Sequence, residues 1–492
     1  TNKIICIYKF LIELSILPDM AYLEINAFIK SIYRMKISHN FMLEWITAEE
    51  AERNKNVKLK DYYQSMIVSP IIGILFLFSS NPIFWILGTM WIISPWIMHK
   101  IGENTEKIGN VKEEDKKFLL QEAEKTWQFF KDTNVNSLPS DNFQADRKKK
   151  IAEITSSTNI GLYLLAIIAA YDLKFEDLES TLKRLESIIE TVENLPKWNG
   201  HLYNWYNIYS KEPAKPLYVS SVDSGNFVGY LYTVKQFLLN KNVQRYDLAK
   251  RIDILINNTD FTRLYNPKMG LFSIGYNVED NILTDSYYDL LATEARQTSI
   301  VAIAKKDVPS KHWNNLSRTL TKMGTYKGLL SWGGTAFEYL MPTINIPSYQ
   351  TTLLDESCRF SIYSQKKYAK KLGIPWGISE AAYNNKDLKG NYQYKTFGVP
   401  WLGLKRGLED EVVVSPYATA MSLIFTPEDA IQNLKTIAEN GMTGKYGFYE
   451  SIDYKPKKAI NKTFMAHHQG LILTSIDNLL NNNIFQERFM QN

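Results

Sequence analysis

The sequence predicts an all-α fold, an (α/α)6 barrel built as a toroid of helical hairpins, with an N-terminal helical extension. Three observations predict it. From about Asp115 onward, apolar residues recur at three- and four-residue spacing in DKKFLLQEAEKTWQFF, SGNFVGYLYTVKQFLL, YDLAKRIDILINN, PEDAIQNLKTIAEN and MAHHQGLILTSIDNLL, among others. The segments come in pairs. In NIGLYLLAIIAAYDL followed by FEDLESTLKRLESIIETV, the first is apolar nearly all round and suits an inner helix, while the second is one-faced and suits an outer one. Few segments alternate as strands do.

With 492 residues, the chain exceeds what one small core needs. It divides by character into an extension, 1–112, and the helical-pair region, 113–492. In the extension, residues 1–60 read as amphipathic helices, including FMLEWITAEEAERNK. Two nearly uncharged runs follow, Met66 to Phe78 and Ile83 to Met98, with Asn81-Pro82 as the turn between them. Each run is shorter than the roughly 20 residues of a comfortable bilayer span. The hairpin 66–98 is therefore read either as packed against protein or as a membrane-contacting hairpin. The opening TNKIICIYKFL lacks the small-residue cleavage site of a signal peptide.

Composition excludes several classes. The net charge of +5 is modest, and basic residues cluster only at Arg147 to Lys150, so no nucleic-acid partner is expected. Cys6 and Cys358 lack metal-ligand spacing and form no disulfide framework; no metal and no cofactor are expected. No phosphate-cradling glycine loop is present. Aromatic residues make up 13% of the chain, and many sit beside Gly, Asn and Asp in the connections rather than in apolar runs. Long connections on a rigid scaffold commonly carry function. WNGHLYNWYNI, GLLSWGGTAFEYLMP, GIPWGISEAAYN, YQYKTFGVPWLGLKRG and GKYGFYESIDYKP supply the aromatic faces and single acids of a saccharide cleft.

One glutamate stands out. In GIPWGISEAAYN, Gly373, Pro375 and Gly377 mark a turn, Ser379 reads as an N-cap, and Glu380 would open the helix that follows. A carboxylate there would stay ionised beside the positive helix end.

The motifs YDLLATEARQTSIVAIAKKDVPSKHW, GLLSWGGTAFEYLMP, GIPWGISEAAYN, YQYKTFGVPWLGLKRGLEDEVVVSPYATA, GFYESIDY and MAHHQG resemble the glucoamylase-like middle region of cyclic β-1,2-glucan synthases. SSTNIGLYLLAIIAAYD, YVSSVDSGN and MLEWITAEEAE are similar in the same order, so the resemblance runs along essentially the whole chain. It implies the cyclisation domain classed in glycoside hydrolase family 189. Such a domain is an anomer-retaining transglycosylase that closes linear β-1,2-glucan into a ring through a covalent glycosyl-enzyme. It also implies glycosyltransferase and phosphorylase modules on the same polypeptide, and a place at the cytoplasmic face of a bacterial inner membrane.

Retaining chemistry needs two carboxyl groups roughly 5–5.5 Å apart. The resemblance points to Glu294 as acid/base and Glu380 as nucleophile. Glu294 is expected inside an apolar helix, where burial would raise its pKa; an ion pair with Arg296 is the competing reading. Glu338 and Glu450 remain open as replacements for either. Substrate-binding candidates are Asp223, Asp289, Arg296, Trp332, Glu338, Trp376, Tyr383, Tyr394, Lys405, Arg406, Tyr449, Glu450, His467 and His468. Two further functions stay open: an inverting endo-β-1,2-glucanase, and a non-catalytic module that holds glucan.

Overall fold

A computed structural model describes residues 2–40, 58–102, 111–148, 150–388 and 390–492. The amphipathic segment expected at 41–55 lies outside the described residues, as does Lys149 of the basic run. The chain forms two compact units, Thr1–Lys107 and Ile108–Asn492.

In the first unit, the helix Asn2–Tyr33 is followed by the helices Leu59–Ser65, Val68–Leu77 and Pro82–Gly102. Asn81 turns the chain, its Oδ1 accepting the Ile83 N–H at 3.0 Å. The last two helices pack closely because Gly73 and Gly88 face each other. A Cβ on either would lie 2.6 Å from the carbonyl oxygen of the other. Trp91 Nε1 donates to the Leu14 carbonyl at 2.9 Å, tying the hairpin to the first helix. Much of the hairpin's apolar surface stays uncovered, with Phe78 84% and Ile86 71% exposed. Pro82–Ile101 is long and apolar enough to cross a membrane.

The second unit is helix-rich, and its helices fall into two kinds. Ser157–Asp172, Ser221–Leu239, Arg296–Ala304, Ala336–Leu340, Pro416–Ala420 and Ala466–Leu480 are buried along most of their length. Glu113–Thr133, Leu178–Asn194, Tyr246–Asn258, Leu353–Leu372 and Pro427–Glu439 bury one face only. The starts follow capping chemistry. Ser156, Asp177, Ser220 and Thr352 each accept a backbone N–H from the residue three positions on, which satisfies a donor the helix leaves unpaired. Gly225 lets two buried helices touch, since a Cβ there would lie 1.9 Å from Thr298 Oγ1. The core these helices enclose includes Leu162, Leu165, Val234, Leu473 and Ile476, all essentially inaccessible. Each such side chain contributes about 1.5–3 kcal/mol by leaving water.

The connections are less irregular than the sequence suggests. Short antiparallel ladders form in them: Ala381–Lys386 with Tyr392–Lys395, Val412–Val414 with Ser451–Lys455, and Asn142–Gln144 with Thr463–Met465. This corrects the setting of Glu380. Ser379 begins no helix of its own; Ala381 enters a strand paired with Lys395, and Ser379 Oγ accepts the Phe337 N–H at 3.1 Å, in the first turn of the distant helix Ala336–Leu340. The setting of Glu294 is corrected too, because the helix begins only at Arg296 and Glu294 lies in the turn before it.

Candidate active site

The turn before one buried helix and the end of one strand bring Glu294 and Glu380 to the same cavity. Its volume is about 480 Å³, and Asp141, Trp205, Asp223, Asn226, Tyr394 and His467 also line it. Both carboxyl groups titrate far above the ordinary carboxylate range. Burial, then the Glu338 carboxylate, pushes Glu294 up to about 7. Burial, then the Glu294 and Glu338 carboxylates, pushes Glu380 up to about 8. Two buried like charges cannot both ionise cheaply, so the pair holds one proton near neutrality. Hydrogen bonding favours the charge on Glu380. The Tyr394 hydroxyl donates to Glu380 Oε1 at 3.0 Å, and the Lys405 ammonium adds an attractive field. Glu294 accepts a longer bond from Thr293 Oγ1, at 3.3 Å.

Behind Glu380 lies a buried polar chain. His468 Nδ1 is 2.9 Å from both Glu450 carboxyl oxygens, and His468 Nε2 is 3.4 Å from the Tyr394 hydroxyl. Burial pushes Glu450 up to about 8 and His468 well below the usual imidazole range, so the pair is neutral. Glu450 also accepts the Ala382 N–H at 3.0 Å, clamping the strand that begins just after Glu380. The Tyr417 ring stacks on His468 at 3.6 Å between centroids, and its hydroxyl donates to the Glu380 carbonyl at 2.8 Å. Glu380 is thus held through its backbone and through Tyr394.

Glu338 has a different environment. Gly333 N–H, Thr335 N–H and the hydroxyls of Ser331 and Thr335 all donate to its carboxylate within 3.1 Å, closing a capping box on the helix Ala336–Leu340. These bonds consume its acceptor capacity, so its weight is structural. Glu338→Gln is expected to lower stability by about 1–3 kcal/mol, read from the denaturant midpoint, since three of the four donors bond one carboxyl oxygen and one bonds the other, and in either orientation an amide N–H₂ would face at least one of them.

The remaining sequence candidates divide by position. Arg296 forms no ion pair with Glu294; its guanidinium donates to the carbonyls of Thr293, Glu338 and Tyr339. Asp223 Oδ1 accepts the Thr158 hydroxyl at 2.6 Å on the cavity wall. Asp289 and Trp332 line a second cavity, of about 520 Å³, together with Glu294. Lys405 donates to the Thr396 carbonyl at 2.8 Å. Trp376, Tyr383, Arg406 and Tyr449 line neither cavity. Trp376 is nearly buried under the Lys366 ammonium, Tyr383 donates to Gln393, Arg406 is exposed, and Tyr449 packs on Phe464.

The structure adds Asp141, Asn142, Trp205 and Tyr392 to the first cavity. Asp141 is buried and accepts both Asn159 Nδ2 and Asn142 Nδ2 at 2.8 Å; burial raises its carboxyl. Trp205 lies in the aromatic connection WNGHLYNWYNI, which marks it in sequence, whereas nothing local marks Asp141. Among the described residues, no group of three or more His, Cys, Asp or Glu side chains could hold a metal ion.

Comparison with known proteins gives three results. Residues 286–492 match the Glycoamylase family, described as "Putative glucoamylase". Over 94% of its length the chain is 30% identical to the cyclic β-(1,2)-glucan synthase NdvB of Rhizobium meliloti (strain 1021), and it spans 22% of that protein. Two solved structures share the fold. One is an endo-β-1,2-glucanase from Chitinophaga pinensis in complex with sophorotriose and glucose, with TM-score 0.65 and 18% identity over 77% of this chain and 95% of that one. The other is the endo-β-1,2-glucanase of Talaromyces funiculosus in complex with sophorose, with TM-score 0.65 and 14% identity over 78% of this chain and 86% of that one.

Proposed function

We propose that this chain, which resembles a segment of a cyclic β-1,2-glucan synthase along nearly its whole length, is a glycosidase-type enzyme that cyclises linear β-1,2-glucan with retention of anomeric configuration. The observation that carries the reading is one cavity holding two buried carboxyl groups, Glu294 and Glu380, both raised far above the ordinary carboxylate range. The similarity to the synthase supports the substrate. The scaffold of this reading is an (α/α)6 toroid, supported by the six buried helices and the five one-faced helices packed with them.

In the reaction, ionised Glu380 attacks the anomeric carbon while Glu294 gives its proton to the departing glycosidic oxygen. The Tyr394 hydroxyl holds Glu380 in place until its charge is spent in the new ester bond. Glu294, now ionised, takes the proton of the chain's own non-reducing-end 2-hydroxyl as that oxygen displaces Glu380. The glycosyltransferase and phosphorylase modules of such synthases would be the partners, at the cytoplasmic face of the membrane. The apolar hairpin Val68–Leu77 and Pro82–Gly102, uncovered as it is, would make the membrane contact.

Incubation with long linear β-1,2-glucan is expected to yield products lighter than linear oligomers by one water in mass spectra. Linear fragments alone would contradict cyclisation. They would favour the second reading, an inverting hydrolase, in which buried Asp141 on the same cavity would activate water.

A further inference from the structure

Two cavities meet at Glu294. The first contains both Glu294 and Glu380; the second contains Glu294 but not Glu380, and is walled by Tyr287, Tyr288, Asp289, Thr293 and Trp332. In a retaining reaction the nucleophile sits beneath the donor sugar, while the acid/base sits at the oxygen that joins donor to leaving group. A space that touches the acid/base alone is therefore on the leaving-group side, and the attacking hydroxyl must enter by the same side.

On these grounds, and resting on the retaining reading above, we infer that the second cavity is the acceptor site. It would receive the 2-hydroxyl end of a β-1,2-linked gluco-oligosaccharide, with Trp332 as its platform. Trp332 is 51% exposed and lines this cavity. Its Nε1 donates to Asp289 Oδ1 at 3.0 Å, and its carbonyl accepts the Lys405 N–H at 2.9 Å. The adjoining Ser331 is buried and its hydroxyl donates to Glu338 at 3.0 Å. A large apolar face is thus presented to the cavity in a fixed plane, at little cost in side-chain freedom when a sugar ring settles on it.

In the acceptor step, the ester between Glu380 and the anomeric carbon breaks. The acceptor 2-oxygen bonds to that carbon, and its proton passes to Glu294. Water competes for the same ester. The ratio of transfer to hydrolysis is therefore set by how well the acceptor is held, and it is a property of the folded, glycosylated molecules only.

The test uses a nitrophenyl β-sophoroside as donor and sophorotriose as acceptor, with the ratio of transfer to hydrolysis products measured for the full chain. Trp332→Ala is expected to lower that ratio roughly tenfold or more at a fixed sophorotriose concentration, as loss of an apolar contact does. Trp332→Phe, which keeps a ring but loses the bond to Asp289, is expected to fall between. An unchanged ratio in Trp332→Ala, with the unsubstituted chain transferring efficiently, would overturn the acceptor assignment alone. No transfer product and inverted hydrolysis product from the unsubstituted chain would overturn the retaining reading and this inference with it.

Discussion

Glu380→Gln is expected to abolish the proposed cyclisation, the rate falling by roughly 10⁵–10⁶-fold, the scale of losing a covalent nucleophile. The neutral amide cannot attack the anomeric carbon, yet it fills the same space and can still accept the Tyr394 hydroxyl. The ties that place residue 380, from Tyr417 to its carbonyl and from Ala382 to Glu450, are backbone ones and survive the change. The variant should therefore stay folded and still bind glucan. Retained cyclisation in Glu380→Gln, measured by product mass, would remove Glu380 from the mechanism. The same experiment separates an enzyme from a module that only holds glucan, since binding is expected to persist while turnover is lost.

Glu294→Gln is expected to lower the rate on β-1,2-glucan by about 10²–10⁴-fold, the usual contribution of a general acid. The pH profile carries a second signature. The acid must be protonated, and burial with the Glu338 carboxylate raises Glu294 to about 7. The nucleophile must be ionised at the same time, so the pair must hold one proton between its two raised pKa values of about 7 and about 8; activity is lost as pH falls through about 7 and a second proton binds, and as pH rises through about 8 and the last proton leaves. In Glu294→Gln the residual activity should lose the alkaline limb, because the amide does not titrate. A small anion such as azide, which needs no base to attack, is expected to restore turnover of a donor with a good leaving group. An unmoved alkaline limb would assign the acid role elsewhere.

Why one part of this site could be read from sequence and another could not comes down to how far the partners lie along the chain. The buried and one-faced helices follow from local periodicity, as NIGLYLLAIIAAYDL and LESTLKRLESIIETVEN illustrate, because helix contacts are i to i+4 and the pattern is carried within each segment. Glu294 and Glu380 stand out by their local settings together with the resemblance of their motifs, not by spacing. The local reading of Glu380 failed for a physical reason. Ser379 has the chemistry of an N-cap, but Ala381 and Ala382 find their hydrogen bonds on Lys395, Tyr394 and Glu450, 12 to 68 residues away, and this ladder outcompetes the helix. The charge on Glu380 changes with it. Where a helix end would have lowered its pKa, burial beside Glu294 and Glu338 raises it. Asp141 was invisible for the same reason, since Asn159 and the Ala466 N–H, which hold it, are distant in sequence. Trp376, in contrast, had the neighbours of a loop aromatic and yet is nearly buried, because the backbone beside it bonds to Asn433 and Thr419. A loop tryptophan and a core tryptophan look alike until those partners are placed.

In the proposed reaction a glycosyl-enzyme forms on Glu380 while Glu294 serves first as acid and then as base. The most direct test is mass spectrometry of Glu294→Gln mixed with a nitrophenyl β-sophoroside, whose leaving group needs no acid. The protein is expected to gain the mass of the transferred sophorosyl group, and peptide mapping is expected to place it on Glu380. An unmodified protein that nonetheless releases nitrophenol and sugar of inverted configuration, or a label on another carboxylate, would contradict the proposed reaction.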